Sequence, residues 1–215
     1  MQNVYSQSVV EYCERVGNSL LSEPINLFSN LAFFIAALLA YRLIVKFKLG
    51  TAYKVIALII LVIGIGSSAW HSVRTPFAHA MDFLPIFAFF LLYLYQLVKR
   101  LTTNKYLPAL VTLGFLGLQI AMSIMFPTVL NGSVRHVVNL FLLSGVIYIV
   151  NAQNKIKDYL VWMFVCYLVA VICRTLDNTV CSYFPIGTHF LWHILTASTV
   201  YFAFKSLVSL DRKLT

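Results

Sequence analysis

Seven apolar stretches, each about as long as a membrane-crossing helix, dominate this chain of 215 residues. They lie at about 26–45, 53–71, 79–98, 106–126, 135–151, 158–174 and 188–207. Only 11% of the residues are charged, whereas a soluble domain carries about 25%. The sequence therefore predicts an all-α integral membrane protein with seven transmembrane helices, formed by a single domain that covers residues 1–215.

The basic residues predict how these helices are oriented. Twelve of them lie on one side of the predicted membrane: Arg42, Lys46, Lys48, Lys54, Lys99, Arg100, Lys105, Lys155, Lys157, Lys205, Arg212 and Lys213. Four lie on the other side: Arg15, Arg74, Arg135 and Arg174. Since basic residues concentrate on the cytoplasmic side, we expect a cytoplasmic C-terminus and an outside N-terminus, with residues 1–24 as an acidic extracytoplasmic segment. The net charge of +9 then gives no indication of a nucleic-acid partner.

Five polar residues stand inside or at the ends of these apolar stretches: Ser67, His71, Asp82, His189 and His193. Ionisable groups at membrane depth are costly, and they persist where they are paired, bound to metal or functional. Ser67 and His71, like His189 and His193, are four residues apart, which puts each pair on one face of a helix. The predicted topology brings all five to the outer ends of their helices.

Three imidazoles beside a carboxylate and a hydroxyl are the parts of an open zinc site. Zinc bound by His71, His189 and His193 would lower the pKa of a bound water to about 7. Asp82, outside the ligand set, could move protons, and Ser67 could contact the water or a developing oxyanion. The histidine pair could instead hold haem, although bis-histidine haem sites usually draw on facing helices.

The remaining histidines, His79 and His136, stand singly near outer helix ends. We expect both to be interfacial and solvated, and neither to bind metal. Cys13 and Cys181 lie on the predicted oxidising side, where a disulfide can persist. Cys166 and Cys173 fall within the sixth span and are expected to be small buried residues.

A second cluster of oxygen-bearing side chains precedes the first span: Glu11, Glu14, Asn18 and Glu23. Hard oxygen ligands at this density are typical of a calcium site. The alternative is a solvated acidic N-terminus, since the cluster has no EF-hand pattern.

Four stretches of the chain resemble the motifs of the alkaline ceramidases, and they follow one another in the same order. They are residues 23–33, with E-x-x-N-x-x-S-N; residues 66–71, followed by Asp82 and Pro85; residues 174–181; and residues 188–195, with H-x-x-W-H-I-L. The wider CREST superfamily shares the serine, the aspartate and the three histidines, and it includes adiponectin and progestin receptors.

This resemblance implies seven helices around a zinc ion held by His71, His189 and His193. It implies hydrolysis of the ceramide amide to a sphingoid base and a fatty acid, with Asp82 as general acid and base and Ser67 stabilising the oxyanion. It also implies a Cys13–Cys181 disulfide. A calcium ion near the zinc would be held by an N-terminal set of ligands: Glu11, the Tyr12 carbonyl, Glu14, Asn18 and Glu23.

Two interpretations stay open: a ceramidase-type amidase acting on a membrane lipid and, as the alternative, a receptor-like or regulatory protein of the CREST type or another lipid hydrolase. Receptors of that branch have a cytoplasmic N-terminus, so the charge distribution favours the enzyme. We expect a ceramide-like lipid and the bilayer as partners and no nucleic acid. The location would be a bacterial inner membrane or, in a eukaryote, the endoplasmic reticulum or Golgi, with the active site on the extracytoplasmic side.

Overall fold

The computed structural model describes residues 12–17, 19–152 and 157–212, and the regular structure in these ranges is entirely α-helical. The helices are α1 (Pro24–Ser29), α2 (Leu31–Phe47), α3 (Thr51–Val73), α4 (Pro76–Leu101), α5 (Leu107–Met125), α6 (Val134–Ala152), α7 (Lys157–Val180) and α8 (His189–Arg212). The all-α prediction is confirmed.

Five helical segments are long and apolar enough to cross a membrane. They are Pro24–Phe47, which joins α1 and α2, and Thr51–Val73, Pro76–Leu101, Leu107–Met125 and Asp158–Val180. In α6 the apolar part is shorter, Val134–Val150, and α8 is not among the five. Five such helices make the chain a multi-pass membrane protein by length and composition, while the predicted count of seven stays a prediction.

Helix α8 lies at the centre of the bundle, which explains its lower hydropathy. It contacts α1, α2, α3, α4 and α7, so its side chains face protein more than lipid. Its buried face includes hydroxyl and imidazole groups beside aliphatic ones: His189, His193, Thr196, Thr199, Val200, Phe204, Ser206 and Leu207. A helix enclosed by other helices need not be apolar all round, because its polar groups find partners inside the bundle.

The first predicted span is two helices, with a break at Asn30 that the sequence did not reveal. Ser29 Oγ and Asn30 Nδ2 both donate to the Asn26 carbonyl, at 2.8 and 3.0 Å. The Asn30 N–H turns instead to the Leu27 carbonyl, three residues back. Side chains that compete for backbone groups in this way interrupt an α-helix, and the break leaves Asn26 and Ser29 near α8.

A close approach of α3 and α4 positions two of the predicted site residues. Pro85 lies inside α4 and has no N–H to give to the Met81 carbonyl, one turn earlier. That carbonyl faces Gly66 of α3, where a Cβ atom would lie 1.9 Å from the Met81 oxygen and 3.2 Å from the Asp82 nitrogen. Only glycine fits there, and Ser67 follows it directly.

The ends of α4 and α8 opposite the predicted site are joined by a charged network. Arg100 donates to both carboxylate oxygens of Asp211, at 2.7 and 2.9 Å. The Tyr53 hydroxyl, on α3, also donates to Asp211, at 2.6 Å. A bidentate guanidinium–carboxylate pair fixes direction as well as distance, so this end of the bundle is held in register.

Candidate active site

Three histidines from two helices converge at one end of the bundle. His71 lies in the last turn of α3, and His189 and His193 lie in the first two turns of α8. Each offers a ligand atom within 4.8 Å of the other two, and all three side chains are buried. The structure therefore brings together the three residues that the i, i+4 spacings predicted.

Glu23 determines which nitrogen of His71 is available to a ligand. His71 Nδ1 lies 2.5 Å from Glu23 Oε2, so the proton of the imidazole belongs on Nδ1, where the carboxylate accepts it. His71 Nε2 is buried and has no hydrogen-bond partner among the described residues. A metal-binding histidine typically has its second nitrogen held by a carboxylate in this way.

A hydroxyl does the same for His193. Ser29 Oγ donates to the Asn26 carbonyl at 2.8 Å and lies 2.7 Å from His193 Nδ1. Since the single hydroxyl proton is used by Asn26, His193 Nδ1 carries its own proton and donates to Ser29. The lone pair of His193 is then on Nε2.

Asp177 and Tyr12 position His189. The buried carboxylate of Asp177 accepts from the backbone N–H groups of Thr188 and His189, at 2.6 and 2.9 Å, and so caps the start of α8. The Tyr12 ring stacks on the His189 ring at a centroid distance of 3.8 Å. His189 Nδ1 is buried without a hydrogen-bond partner in the described part of the chain.

These donors fit a zinc ion. Two imidazole nitrogens of the trio are buried with no hydrogen-bond partner among the described residues, and an unsatisfied buried polar atom is costly unless something binds it. Two of the rings have their Nδ1 atoms held by Glu23 and Ser29. In the described ranges, this trio is the group of side chains placed to hold a metal.

Glu23 is a fully buried carboxylate at the meeting point of three cationic or polar groups. Arg15 Nη1 donates to its Oε1 at 2.8 Å, and Arg74 donates to the same oxygen through Nε at 2.9 Å and through Nη2. Burial alone would raise the pKa of Glu23. The contacts with His71, Arg15 and Arg74 lower it by a larger amount, so that the pKa falls to about 2. Glu23 is therefore a permanent anion, which suits a carboxylate that orients a ligand.

Arg74 reaches Glu23 from an uncommon backbone conformation. It ends α3 with φ at 49°, in the left-handed region. Its guanidinium lies over the rings of Trp70 and Tyr12, at 4.3 and 4.9 Å from their centroids. These contacts and the ion pair to Glu23 offset the cost of the conformation.

The residues predicted to hold calcium have other contacts in the described part of the chain. Glu14 accepts from the backbone N–H groups of Ile25 and Asn26, at 2.5 and 2.8 Å, and so caps α1. The Tyr12 carbonyl accepts from the Arg15 N–H at 3.3 Å. Glu11 and Asn18 lie outside the described residues. The calcium site stays a prediction.

The predicted disulfide is present. Cys13 and Cys181 are bonded, and they join the N-terminal segment to the end of α7 across 168 residues. Asp177 supports the same junction, because its Oδ2 accepts from the Cys13 N–H at 3.0 Å. At Gly187, φ is +63° and a Cβ would lie 2.1 Å from Asp177 Oδ1, so this loop requires glycine. Cys166 and Cys173 are free and half-buried, not fully buried as expected.

A cavity of about 260 Å³ opens beside the histidines and contains Asp82 and His189 in its wall. Asp82 is half-buried, and it is not part of the metal-binding trio. Ser67 is buried on α3, one turn before His71. The structure thus places the predicted proton-transfer group on the cavity wall and the predicted oxyanion donor beside the close contact of α3 with α4.

The wall of the cavity carries both polar and apolar side chains. The polar ones include Asp82, Gln119, Ser123, Arg135 and Arg174, and the apolar ones include Phe83, Ile86, Phe90, Phe115 and Ile124. Along α4, steps of four residues lead from Asp82 through Ile86 to Phe90, a rise of roughly 12 Å. On that helix the lining passes from a carboxylate to apolar side chains, which fits an amphipathic molecule.

The expectation that His136 is solvated is wrong. It is buried at 6% exposure and its Nδ1 lies 2.8 Å from the Tyr167 hydroxyl, because α6 and α7 enclose it. His79 is exposed, as expected. Sequence reasoning also missed the contacts of Arg15 and Arg74 with Glu23. The only signal was that both belong to the four basic residues on the minority side of the predicted membrane.

A model of the ceramidase family matches residues 4–214. A search of curated proteins found no match. The family match covers nearly the whole chain, including every residue of the histidine trio and of the cavity. The chain belongs to the ceramidase family.

Proposed function

We propose that this protein is a zinc-dependent amidase that hydrolyses ceramide or a related N-acyl lipid within the membrane. Membership of the ceramidase family implies a hydrolase acting on an amide bond of this lipid class. The observation that carries the finer proposal is the buried histidine trio, two of whose nitrogens have no hydrogen-bond partner among the described residues, with His189 in the wall of a cavity that Asp82 and apolar side chains also line.

His71, His189 and His193 would hold the metal. Zinc bound there supplies Lewis acidity toward an amide carbonyl and toward a water molecule. Glu23 and Ser29 keep two of the rings oriented, so that the lone pair of each stays directed away from its Nδ1 partner. Such orientation lowers the cost of arranging the site around a substrate.

Asp82 is the proton carrier in this proposal. Its carboxylate takes a proton from the attacking water as the water oxygen bonds to the acyl carbon. It then gives that proton to the amide nitrogen as the C–N bond breaks, which releases a free amine and a carboxylic acid. The hydroxyl of Ser67 donates to the oxygen that becomes negative on the acyl carbon.

The cavity gives the substrate its orientation. The amide would lie near Asp82 and His189, and the alkyl chains would lie deeper, against Ile86, Phe90 and Phe115. The outer surface of the bundle also carries large apolar side chains that suit lipid contact, among them Leu38, Leu58, Leu113, Phe141, Trp162 and Ile172. A lipid could therefore enter from the bilayer without crossing a polar surface.

We also propose seven transmembrane segments, with α1 and α2 forming one and α6 and α8 completing the count. The N-terminus and the histidine trio would lie on the extracytoplasmic side. The uneven distribution of basic residues supports this orientation, and so does a disulfide on the same side as the trio. The compartment would be the inner membrane of a bacterium or, in a eukaryote, the endoplasmic reticulum or Golgi.

Metal analysis combined with product analysis tests the zinc proposal. Purified protein should contain about one zinc per chain, and ceramide incubated with it should yield sphingoid base and fatty acid in equal amounts. A chelator should abolish turnover and added zinc should restore it. The double variant His189→Ala/His193→Ala should lose both metal and turnover. Stoichiometric haem, or full activity in metal-free protein, would contradict the proposal.

A further inference from the structure

The wall of the cavity formed by α6 and α7 carries more positive than negative charge. Arg135, in the first turn of α6, and Arg174, near the end of α7, both line the cavity. Asp82 is the one carboxylate among the described residues that line it. Asp82 lies on α4, close enough to attract Arg135 electrostatically, whereas the two guanidinium groups belong to α6 and α7.

The guanidinium of Arg135 is half-buried, and among the residues that the structure describes it makes no hydrogen bond or salt bridge. Its interactions there are electrostatic and include an attraction to Asp82 and a repulsion from Arg174. Arg174 is different, because its Nη1 donates to Asn131 O and to Ser133 Oγ, both at 2.8 Å, and its guanidinium lies 5.8 Å from the centre of the Trp192 ring. Arg174 is therefore held in place, while the guanidinium N–H groups of Arg135 are available to donate hydrogen bonds to a ligand.

His136 adds a third donor to the same wall. A chain of hydrogen bonds leads to it: Gln119 Nε2 donates to Asn139 Oδ1, and Asn139 Nδ2 donates to the Tyr167 hydroxyl at 2.7 Å. The Tyr167 hydroxyl, having accepted, donates to His136 Nδ1 at 2.8 Å. The proton of His136 is then on Nε2, which is buried and has no partner among the described residues.

We propose that Arg135, His136 and Arg174 form an anion subsite for the head group of a lipid substrate, such as a phosphate. This inference rests on the proposed function and narrows its substrate class to N-acyl lipids that carry an anionic group close to the amide. Two guanidinium groups and an imidazole N–H, with Asp82 as the one carboxylate in the described lining, favour an oxyanion over a neutral hydroxyl group.

The position of the subsite fits a head group better than a reaction product. The carboxylate released by hydrolysis would form where the amide carbonyl lay, next to the histidine trio. Arg135 and Arg174 belong to α6 and α7, near the helix ends where lipid head groups lie. An anion there would be a second polar group of the lipid, with the alkyl chains deeper in the cavity.

A pair of probes without an amide bond tests the subsite independently of turnover. Hexadecyl phosphate and hexadecanol differ in the anion, and neither can be hydrolysed as an amide. Binding to the zinc-loaded protein in nanodiscs is measured from the rise in melting temperature with ligand concentration. We expect the phosphate to bind roughly tenfold or more tightly than the alcohol, since hydrogen bonds to charged groups are the strong ones.

Variants test whether the two arginines cause the preference for hexadecyl phosphate over hexadecanol. Arg135→Gln should bring the ratio of the two affinities close to one, and Arg174→Gln should lower it if that variant still folds. Arg42→Gln removes one exposed charge on α2, outside the cavity, and should keep the wild-type ratio. Equal affinities in the wild type, or an unchanged ratio in Arg135→Gln, would overturn the subsite.

Two further measurements distinguish a subsite for a lipid head group from a site for free phosphate, and the subsite from the proposed hydrolase function. Displacement of hexadecyl phosphate by an equal concentration of inorganic phosphate would assign the subsite to free anions and overturn the lipid assignment. Turnover of ceramide 1-phosphate should exceed that of ceramide in the wild type, and the ratio should fall in Arg135→Gln. If neither ceramide is hydrolysed by zinc-loaded protein, the proposed function fails, while the ratio of probe affinities still decides the subsite.

Discussion

At the scale of single residues, the carboxylate of Glu23 connects the metal-binding trio to the N-terminal segment. It holds His71 Nδ1 and is itself held by Arg15 and Arg74, whose side chains are 4% and 9% exposed. A buried charge of this kind is stable because its partners are present. Removing the carboxylate would leave two buried guanidinium groups without an anion and His71 without its acceptor.

Glu23→Gln should therefore lower both stability and metal affinity. We expect a loss of about 3–5 kcal/mol in the free energy of unfolding, as for other broken buried ion pairs. Zinc affinity should fall roughly 10- to 100-fold, because the ring of His71 is no longer oriented by a carboxylate. Glu14→Gln is the matched control, since Glu14 contacts backbone N–H groups and not a histidine. Equal zinc affinities in the two variants would contradict the role given to Glu23.

Calcium is a separate prediction at the same residues. Bound by the N-terminal ligands, it should raise the melting temperature of zinc-loaded protein as its concentration increases. Glu23→Ala should abolish that rise, because it removes a predicted ligand. A melting curve of wild-type protein that does not change with calcium would mean that Arg15 and Arg74 alone neutralise the Glu23 carboxylate.

The three histidines could be predicted because their signals are local in sequence. Two residues four apart on one helix share a face whatever surrounds the helix. The partners of His71 and His193 could not be predicted by this route, since Glu23 and Ser29 are 48 and 164 residues away from them. His136 was misjudged for the same reason, because its burial depends on how α6 packs against α7.

At the scale of helices, the contact between α3 and α4 sets the position of the predicted oxyanion donor relative to the predicted proton carrier. Pro85 frees the Met81 carbonyl, and Gly66 gives it room. The two backbones can then approach closely beside Ser67 and Asp82.

Gly66→Ala should push these helices apart. The added methyl group meets backbone atoms that cannot turn aside, so we expect a loss of about 1–3 kcal/mol in stability and a fall in turnover. Gly114→Ala, in α5, adds the same group where no atom lies within 4 Å, and it should leave the melting temperature unchanged or slightly higher. Melting curves and turnover of both variants in the same detergent make the comparison. Equal stability of the two variants would contradict the close approach of α3 and α4 at Gly66.

Helix boundaries were predictable where Pro or Gly marks them, as at the start of α4. Thr75 accepts from the Ala78 N–H at 3.1 Å and Pro76 follows it, so the turn after His71 has a clear sequence signal. The break at Asn30 has no such signal, because it arises from two side chains that compete for the Asn26 carbonyl. Apolar content alone showed where the helices lie and not which of them is central.

At the scale of the whole molecule, the Cys13–Cys181 bond closes the N-terminal segment over the histidine trio. It holds Tyr12 against His189 and fixes the end of α7 near the start of α8. The bond spans most of the chain, so it restricts the unfolded state strongly.

Reduction of this disulfide should lower the free energy of unfolding by about 2–5 kcal/mol. Peptide mapping without reductant should recover the two cysteines in one bridged fragment. The matched control is Cys166→Ser/Cys173→Ser, which removes the free cysteines and should still lose stability on reduction. Recovery of Cys13 and Cys181 as free thiols from native, oxidised protein would reject the bridge in solution.

The central claim is hydrolysis of an N-acyl lipid by water with Asp82 as proton carrier, and oxygen labelling tests it most directly. Zinc-loaded protein is incubated with ceramide in water enriched in oxygen-18, and the products are analysed by mass spectrometry. Hydrolysis by water should place one heavy oxygen in the released fatty acid and none in the sphingoid base, and should give equal amounts of the two. Asp82→Asn should retain zinc and release both products roughly 10²- to 10⁴-fold more slowly. An unlabelled acyl product, no release by the wild type, or an equal rate in Asp82→Asn would contradict it.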